Sequence, residues 1–406
     1  MAYQQTAGAA IPELSGLQWR CIAAGAAAFA VSLGGLFINP AQFMQSYLMA
    51  YMWCLGASLG CLALGMVHQL SGGAWGVLVR RPIGAATRVL PILTILFLPI
   101  AFGVHRLYIW TDPALVAHDE ILQHKALYLN VPFFMARAVF YFAVWNGLAF
   151  FLNRWSLEQD RTADPALARR MQVLSAGGLL GYGLTITFAS FDWLMSLDPH
   201  WYSTMYGVLI MGGQGLSSLA VSIVILVWLS RRPPLRGIVV PALLHDLANL
   251  MLAFTVLWAY FSFSQYLIIW AGNLPHEIEW YLYRSNTSWR AIALFLVVFH
   301  FAVPLVLMLS RVVKRDANMI VKVALWMIFV RLVDLFWLIA PSFHHDGLAI
   351  SWMDVTLPLA LGGVWLGCFV WQLRGRAILP VNDPQFDETL GVIIERGQRQ
   401  APDAAH

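Results

Sequence analysis

The chain has 406 residues, of which 60% are hydrophobic and only 11% are charged, and its mean hydropathy is +0.68. A soluble domain has roughly 25% charged residues, so this composition excludes a soluble globular protein. The net charge of +4 does not indicate nucleic-acid binding, because the basic residues form short clusters between apolar runs and never one continuous patch. The composition predicts an all-α polytopic membrane protein that is surrounded by lipid.

The apolar runs predict ten transmembrane helices, each long enough to cross a hydrocarbon layer of about 30 Å. In chain order the predicted spans are 18–38, 46–70, 89–109, 132–153, 171–196, 203–230, 239–270, 289–311, 319–341 and 352–374. Spans two to five and six to nine start from the same side, so two four-helix bundles (about 46–196 and 203–341) with spans one and ten peripheral to them are one possible arrangement, which the pattern of apolar runs does not establish by itself. Residues 1–17 lack the features of a secretory signal and, like the polar tail 375–406, are predicted to be a terminal segment outside the membrane.

The positions of lysine and arginine predict the orientation of the spans. Most of these residues follow spans two, four, six and eight: Arg80, Arg81, Arg88, Arg154, Arg161, Arg169, Arg170, Arg231, Arg232, Arg236, Arg311, Lys314, Arg315 and Lys322. The other inter-span loops contain Arg106, Lys125, Arg284 and Arg290. Both termini are therefore predicted to be cytoplasmic. Loops 105–131 and 271–288 are then on the outer face, where their aromatic and acidic residues are typical either of a partner surface or of an interfacial aromatic belt.

The stretch FASFDWLMSLDPHWYSTMY, at residues 188–206, joins two spans through a hinge and places Asp192, Asp198 and His200 next to the membrane. An Asp near the centre of a spanning helix costs about 2.5–3.5 kcal/mol, so such a residue usually faces a bundle interior or a water-filled path. If spans four to six are neighbours, Asp192 can meet Arg137 and Tyr206. That set is typical of a quinone pocket, in which polar groups bind a carbonyl and exchange its proton. Asp198 precedes a proline, which is an ordinary turn device.

Span seven has a stripe of polar residues, which are His245, Asp246, Asn249, Tyr260 and Ser264. From Asp246 onward their spacing places them roughly on one helical face, over about 27 Å. Titratable groups linked by hydroxyl and amide groups suit a proton-conducting half-path. The alternative is hydrogen bonding between helices, which is common in membranes.

Three further titratable residues lie deep in spans eight and nine. Arg331 and Asp334 are three residues apart and are predicted to form an ion pair, either structural or part of a proton relay. His300 can extend the relay, or it is an ordinary core histidine. The histidines His68, His105, His245 and His300 lie at different depths, and the cysteines have no metal-binding spacing. We therefore expect no metal site, no haem and no covalently bound cofactor in this chain.

The stretches Phe188–Gly207 and Phe263–Arg284, together with the ten-span layout, resemble the NrfD-like (polysulfide-reductase-type) membrane subunits, in particular the ActF-type subunits of bacterial alternative complex III. This resemblance implies a quinol:electron-acceptor oxidoreductase in a bacterial inner membrane. The implied partners are an iron–sulfur subunit, c-type cytochrome subunits and a sister NrfD-like membrane subunit. The resemblance implies a proton path through this subunit, with a quinone or quinol as its ligand, although the sister subunit is the better attested quinol site.

Two alternatives to the quinol oxidoreductase subunit come from other functional classes. A secondary transporter would show inverted repeats and helices broken near the midplane, whereas two sets of four spans cannot be inverted relative to each other. A purely structural membrane anchor predicts that the buried acids tolerate neutral replacement.

Overall fold

The computed structural model describes residues 14–232 and 239–374, and beyond them the single residues 376, 379, 382 and 391. This part of the chain is mainly helical and contains no β-strand, and ten of its helices are long and apolar enough to cross a membrane. They are α1 (Leu14–Ile38), α2 (Pro40–Ser71), α3 (Trp75–Phe102), α4 (Val131–Thr162), α5 (Pro165–Leu197), α6 (Tyr206–Ser230), α7 (Pro241–Gly272), α8 (Trp289–Leu309), α9 (Ala317–Ser342) and α10 (Met353–Leu373). The predicted all-α polytopic membrane fold is therefore confirmed.

The ten helices form two four-helix bundles and one peripheral pair. Helices α2 to α5 pack in a closed ring, in which α2 contacts α3 and α5 while α4 contacts α3 and α5. Helices α6 to α9 form a second ring with the same order of contacts. Helices α1 and α10 pack on each other and against α2. The two bundles meet where α6 contacts α2 and α5, so α2 and α6 are the central helices of the molecule.

Several helices start at a polar cap residue that the sequence supplies at the turn. The side chains of Asn39, Asn130, Asp164 and Asp316 each accept a hydrogen bond from a backbone N–H in the first turn of α2, α4, α5 and α9. A proline follows at one of the first two helical positions in the first three cases. These residues satisfy backbone donors that would otherwise lack a partner, and so they fix where each helix begins.

Glycine residues allow the closest approaches between helices. A Cβ atom at Gly60 of α2 would lie 2.0 Å from the carbonyl oxygen of Gln214 in α6. A Cβ atom at Gly363 of α10 would lie 2.7 Å from the Cα of Gly25 in α1. Small residues at such crossings let the helix backbones make van der Waals contact, which is a main source of helix association in lipid.

The third span lies earlier in the chain than the predicted 89–109. Helix α3 runs from residue 75 to 102, with breaks near residues 88 and 96. It therefore contains three arginines that the prediction placed in a loop: Arg80, Arg81 and Arg88. Arg81 pairs with Asp160, and the Nε of Arg88 donates to Asn153 Oδ1 at 2.9 Å. Because these partners come from α4, a hydropathy window along α3 does not reveal that its charges are accommodated.

The two ends of the bundles differ in their connections. The end at which Asp198 lies, which we call the hinge end, has the short helices Val104–Leu107, Pro113–Ala117 and Glu120–Lys125 before α4, and helix Pro275–Asn286 between α7 and α8. The opposite end, which we call the arginine end, has the short helix Arg311–Arg315 between α8 and α9. The orientation of these ends in the membrane remains a prediction. Residues 1–13, and most of the predicted tail 375–406, lie outside the described residues.

Candidate functional site

The second bundle encloses a cavity of about 610 Å³ near the hinge end. Helices α7, α8 and α9 and the helix Pro275–Asn286 form its walls, and Leu209 of α6 contributes to them. The walls are mainly aromatic and aliphatic, and include Trp258, Phe263, Tyr281, Leu296, Phe301 and Trp337. Ligand pockets in proteins typically have volumes of about 300–1,000 Å³ and a similar apolar character. The cavity therefore has the size and lining of a site for an apolar ligand.

The rim of the cavity faces the lipid side of α7 and α8. Tyr260 and Phe263 of α7 both contribute to the lining and are each 61% exposed. Val297 of α8 also contributes and is 57% exposed. In a membrane these side chains contact acyl chains, since no water surrounds the middle of the bundle. These exposed lining residues place the opening of the cavity between α7 and α8, on the outer surface of the bundle.

A few polar groups interrupt the apolar wall. Gln265 of α7 donates through Nε2 to the hydroxyl of Tyr281 at 3.0 Å, and its Oε1 accepts from Ser203 Oγ at 3.0 Å. Burial raises the pKa of Tyr281 to about 12, so this hydroxyl keeps its proton at neutral pH. Arg284 is 1% exposed, and its guanidinium lies 3.4 Å from the centre of the Trp280 ring. These groups offer hydrogen-bond donors to a ligand that is otherwise apolar.

Asp334 is the carboxylate of the cavity lining. It forms an ion pair with Arg331, one turn earlier on α9, as the spacing of the two residues predicts. A Cβ atom at Gly213 of α6 would lie 2.2 Å from the guanidinium of Arg331, so the absence of a side chain at this position makes room for the arginine. The pair neutralises two buried charges, and Asp334 lines the cavity wall.

His300 lies behind this wall in a π-helical turn of α8, Val297–Ala302. Its ring is fully buried and meets the Trp258 ring edge-on, with the centroids 3.9 Å apart. Neither ring nitrogen has a hydrogen-bond partner among the described residues. A π-turn inside an α-helix is often found at functional sites, and two unpaired imidazole nitrogens are costly in a membrane interior. The ring therefore has two nitrogens that can form hydrogen bonds to water, and Arg331 is its charged neighbour.

The polar stripe predicted on α7 is divided between two places. At the arginine end, His245 Nδ1 lies 3.9 Å from an Asp246 carboxylate oxygen and 3.2 Å from Asn249 Nδ2. Lys314, from the short helix before α9, donates to Asn249 Oδ1 at 2.7 Å. Tyr260 lies on the cavity rim, and Ser264 is half-buried one turn beyond it. Their spacing along α7 predicts that His245, Asp246 and Asn249 lie together. It does not predict Lys314, because the lysine belongs to a different helix.

The quinone set predicted in the first bundle is only partly assembled. Arg137 donates to both carboxylate oxygens of Asp192 at 2.8 Å, and the Tyr141 hydroxyl donates to Asp192 Oδ2 at 2.8 Å. Tyr206 lies elsewhere, packed on Trp201 with ring centroids 5.6 Å apart. Its charged neighbours belong to the second bundle and the hinge: Arg284, Asp334 and Asp198. The structure thus joins Arg137 with Asp192. It places Tyr206 near Arg284 and Asp334, which line the cavity of the second bundle.

Fold and site together define a multi-pass, all-α membrane protein with a lipid-accessible cavity in one of its two bundles. No protein-family model matches the chain, and no curated protein is similar to it. Within the described residues, no group of three or more His, Cys, Asp or Glu side chains is placed to hold a metal ion.

Proposed function

We propose that this chain is an integral membrane subunit of a quinol:electron-acceptor oxidoreductase of the alternative complex III type, and that its second bundle binds the quinol. The observation that carries the proposal is the cavity of about 610 Å³, which opens to lipid between α7 and α8 and has Asp334 in its wall. The resemblance of Phe188–Gly207 and Phe263–Arg284 to ActF-type subunits points to the same class. A transporter of polar solutes would instead need a path open to water.

The chemistry of a quinol fits the groups around the cavity. A quinol is an apolar ring and tail with two hydroxyls, and its oxidation releases two electrons and two protons. Asp334 can accept a proton, while the Tyr281 hydroxyl and the Arg284 guanidinium can donate hydrogen bonds to a quinone carbonyl. The aromatic wall suits the ring, and the lipid-facing rim suits the tail.

The two electrons of the quinol would pass to a redox centre carried by another subunit. In the proposed complex that subunit is the iron–sulfur protein, and the c-type cytochrome subunits receive the electrons from it. A sister NrfD-like subunit is the other membrane partner. This chain contributes the lipid-exposed site and the side chains that exchange protons.

The proposal includes a second place of proton exchange, at the arginine end. His245, Asp246, Asn249 and Lys314 form a connected polar cluster there. Arg331, Asp334 and His300 are the titratable groups further into the same bundle. Thr255 lies on α7 between the cluster at the arginine end and the deeper titratable groups. Its buried hydroxyl donates to the carbonyl oxygen of Met251 in the same helix and so does not connect the two groups. A proton that entered at the arginine end would therefore need water to cross this interval.

The test of the proposed function is to fill the cavity. Ala293 of α8 lines it, whereas Ala291, on the same helix, is exposed and does not contribute to the lining. We expect Ala293→Trp in the purified complex to raise the KM for decylubiquinol or a menaquinol analogue about tenfold or more, because the indole occupies the ligand volume. Ala291→Trp is the matched control and should leave KM unchanged. Normal quinol kinetics in both variants would overturn the assignment of this cavity.

A further inference from the structure

At the hinge end, a network of side chains connects the cavity with the surface. Arg284 lines the cavity and donates through Nη1 to the hydroxyl of Tyr283. That hydroxyl donates to Asp198 Oδ2 at 2.6 Å, and Ser342 Oγ donates to the same oxygen at 2.8 Å. On its other side, Asp198 Oδ1 lies 4.0 Å from His345 Nε2. One hydrogen bond thus separates the Tyr283 hydroxyl from Arg284 in the cavity lining, and a second hydrogen bond connects Tyr283 to Asp198.

The exposure of these groups increases from the cavity outward. The side chain of Arg284 is 1% exposed, that of Asp198 is 17% exposed and that of His345 is 57% exposed. The imidazole of His345 is stacked on the Tyr283 ring, with centroids 4.7 Å apart and planes 1° from parallel. A network needed only to join the loops does not require an exposed titratable group at its end. An imidazole exchanges protons with water readily near neutral pH.

We propose that Asp198 carries protons from the cavity to the surface at the hinge end, receiving them through Tyr283 and passing them to His345. The inference rests on the proposed function, because quinol oxidation supplies the protons. Asp198 before Pro199 is then more than the turn device that the sequence suggests. It belongs to the hinge between α5 and α6 and accepts hydrogen bonds from the helix Pro275–Asn286 and from the last residue of α9.

The transfer conserves protons and involves no redox change on the route. Each quinol releases two protons in the cavity, and its two electrons would go to the oxidant, an iron–sulfur centre of the partner subunit. Burial raises the pKa of Tyr283, so its hydroxyl is protonated at rest. It passes its proton to Asp198 Oδ2 and takes up another from a water molecule that has received a proton from the quinol, so the tyrosine ends the step neutral. His345 Nε2 donates to the carbonyl oxygen of Ser342 at 3.2 Å, so the basic nitrogen of this imidazole is Nδ1. Asp198 Oδ1 then passes a proton through a bridging water molecule to His345 Nδ1, and His345 releases it to the solvent.

The test compares Asp198→Asn with wild type in the purified complex, using decylubiquinol oxidation in H₂O and D₂O. We expect turnover at saturating quinol to fall about tenfold or more, with an unchanged KM and a larger solvent isotope effect. Asp198→Glu should restore most of the turnover, since it keeps the carboxylate. His345→Gln, at an exposed position, should lower turnover less, and added imidazole should recover it. If Asp198→Asn does not assemble, the result for His345→Gln decides.

The matched control is a second Asp–His contact at the hinge end. Asp119 Oδ2 lies 2.5 Å from His200 Nε2, and neither residue lines the cavity. Asp119→Asn should leave turnover and isotope effect at wild-type values. Wild-type turnover and isotope effect in an assembled Asp198→Asn complex, or in His345→Gln, would overturn the route and leave the quinol site standing. If the wild-type complex neither oxidises nor binds quinol, the proposed function and the route both fail.

Discussion

In each four-helix bundle a buried carboxylate toward the hinge end is paired with an arginine, and the two pairs differ in what surrounds them. In the first bundle, protein donors occupy Asp192: two hydrogen bonds come from Arg137 and one from Tyr141. The guanidinium of Arg137 is itself held between the rings of Tyr128 and Phe133, at 3.9 and 4.3 Å. In the second bundle, Asp334 is paired with Arg331 and also borders the cavity.

The difference shows that a buried acid in a membrane helix is a weak sign of function by itself. Both carboxylates are costly to bury, and both have the partner that this cost requires. Only the second one lines a cavity that has exposed residues at its rim. Contact of the carboxylate with a cavity therefore distinguishes the two ion pairs, whereas their burial and charge do not.

The largest effect is expected from Asp334→Asn. Removal of the proton acceptor should lower quinol turnover by about 10²- to 10⁴-fold, measured per assembled complex. The change also leaves Arg331 buried without a counter-ion, at a cost of about 3–5 kcal/mol in stability. The double variant Arg331→Gln/Asp334→Asn should recover thermal stability but not turnover. Wild-type turnover in either variant would remove Asp334 from the mechanism.

Asp192→Asn should give the opposite pattern. It leaves Arg137 without its carboxylate, so the complex should be destabilised by about 3–5 kcal/mol in thermal unfolding. Turnover of the molecules that remain assembled should stay at the wild-type value, because Asp192 does not line the cavity. A collapse of turnover with normal stability would show that the first bundle contains the working site.

Gly213→Ala tests the position of the Arg331–Asp334 pair without changing a charge. The new methyl group would lie 2.2 Å from the Arg331 guanidinium, so the arginine must move. We expect a loss of about 1–3 kcal/mol in stability, and a several-fold fall in turnover. Gly183→Ala in α5 is the control, because its Cβ would have open space within 4 Å. Equal behaviour of the two variants would mean that the position of Arg331 is unimportant.

The smallest effect is expected from Lys314→Met at the arginine end. The variant removes a charged hydrogen bond of 2.7 Å to Asn249, worth about 1.5–3 kcal/mol locally. Quinol oxidation should be nearly unchanged, whereas proton uptake by the complex in proteoliposomes should slow. Unchanged uptake would limit the proton chemistry of this chain to the hinge end.

The sequence was sufficient to predict the ten spans, because apolar runs do not depend on detailed packing. The parity of the spans only allowed the two-bundle arrangement, and the family resemblance implied it. The start of α3 was missed, because its arginines are accommodated by Asp160 and Asn153 of α4. A one-dimensional hydropathy pattern does not contain such contacts between helices.

The candidate site was predictable only in part. The spacing on α9 predicts the Arg331–Asp334 pair, whereas the cavity beside it arises from residues such as Ala293 and Leu209, which carry no chemical signal. Arg284 was read only as a loop charge. Arg284 follows Trp280 by four residues, and this spacing is the sequence signal that could have identified a contact between them. In the structure both side chains are buried and the guanidinium lies over the indole ring.

The most direct test of the quinol site is to label the purified complex with a photoreactive azidoquinone and to locate the modified residues by mass spectrometry. The account predicts labels on α7, α8 and the helix Pro275–Asn286, which are displaced by excess quinone and abolished by Ala293→Trp. Labels confined to α4 and α5 around Asp192, or labels on α7 and α8 that persist in Ala293→Trp, would contradict it.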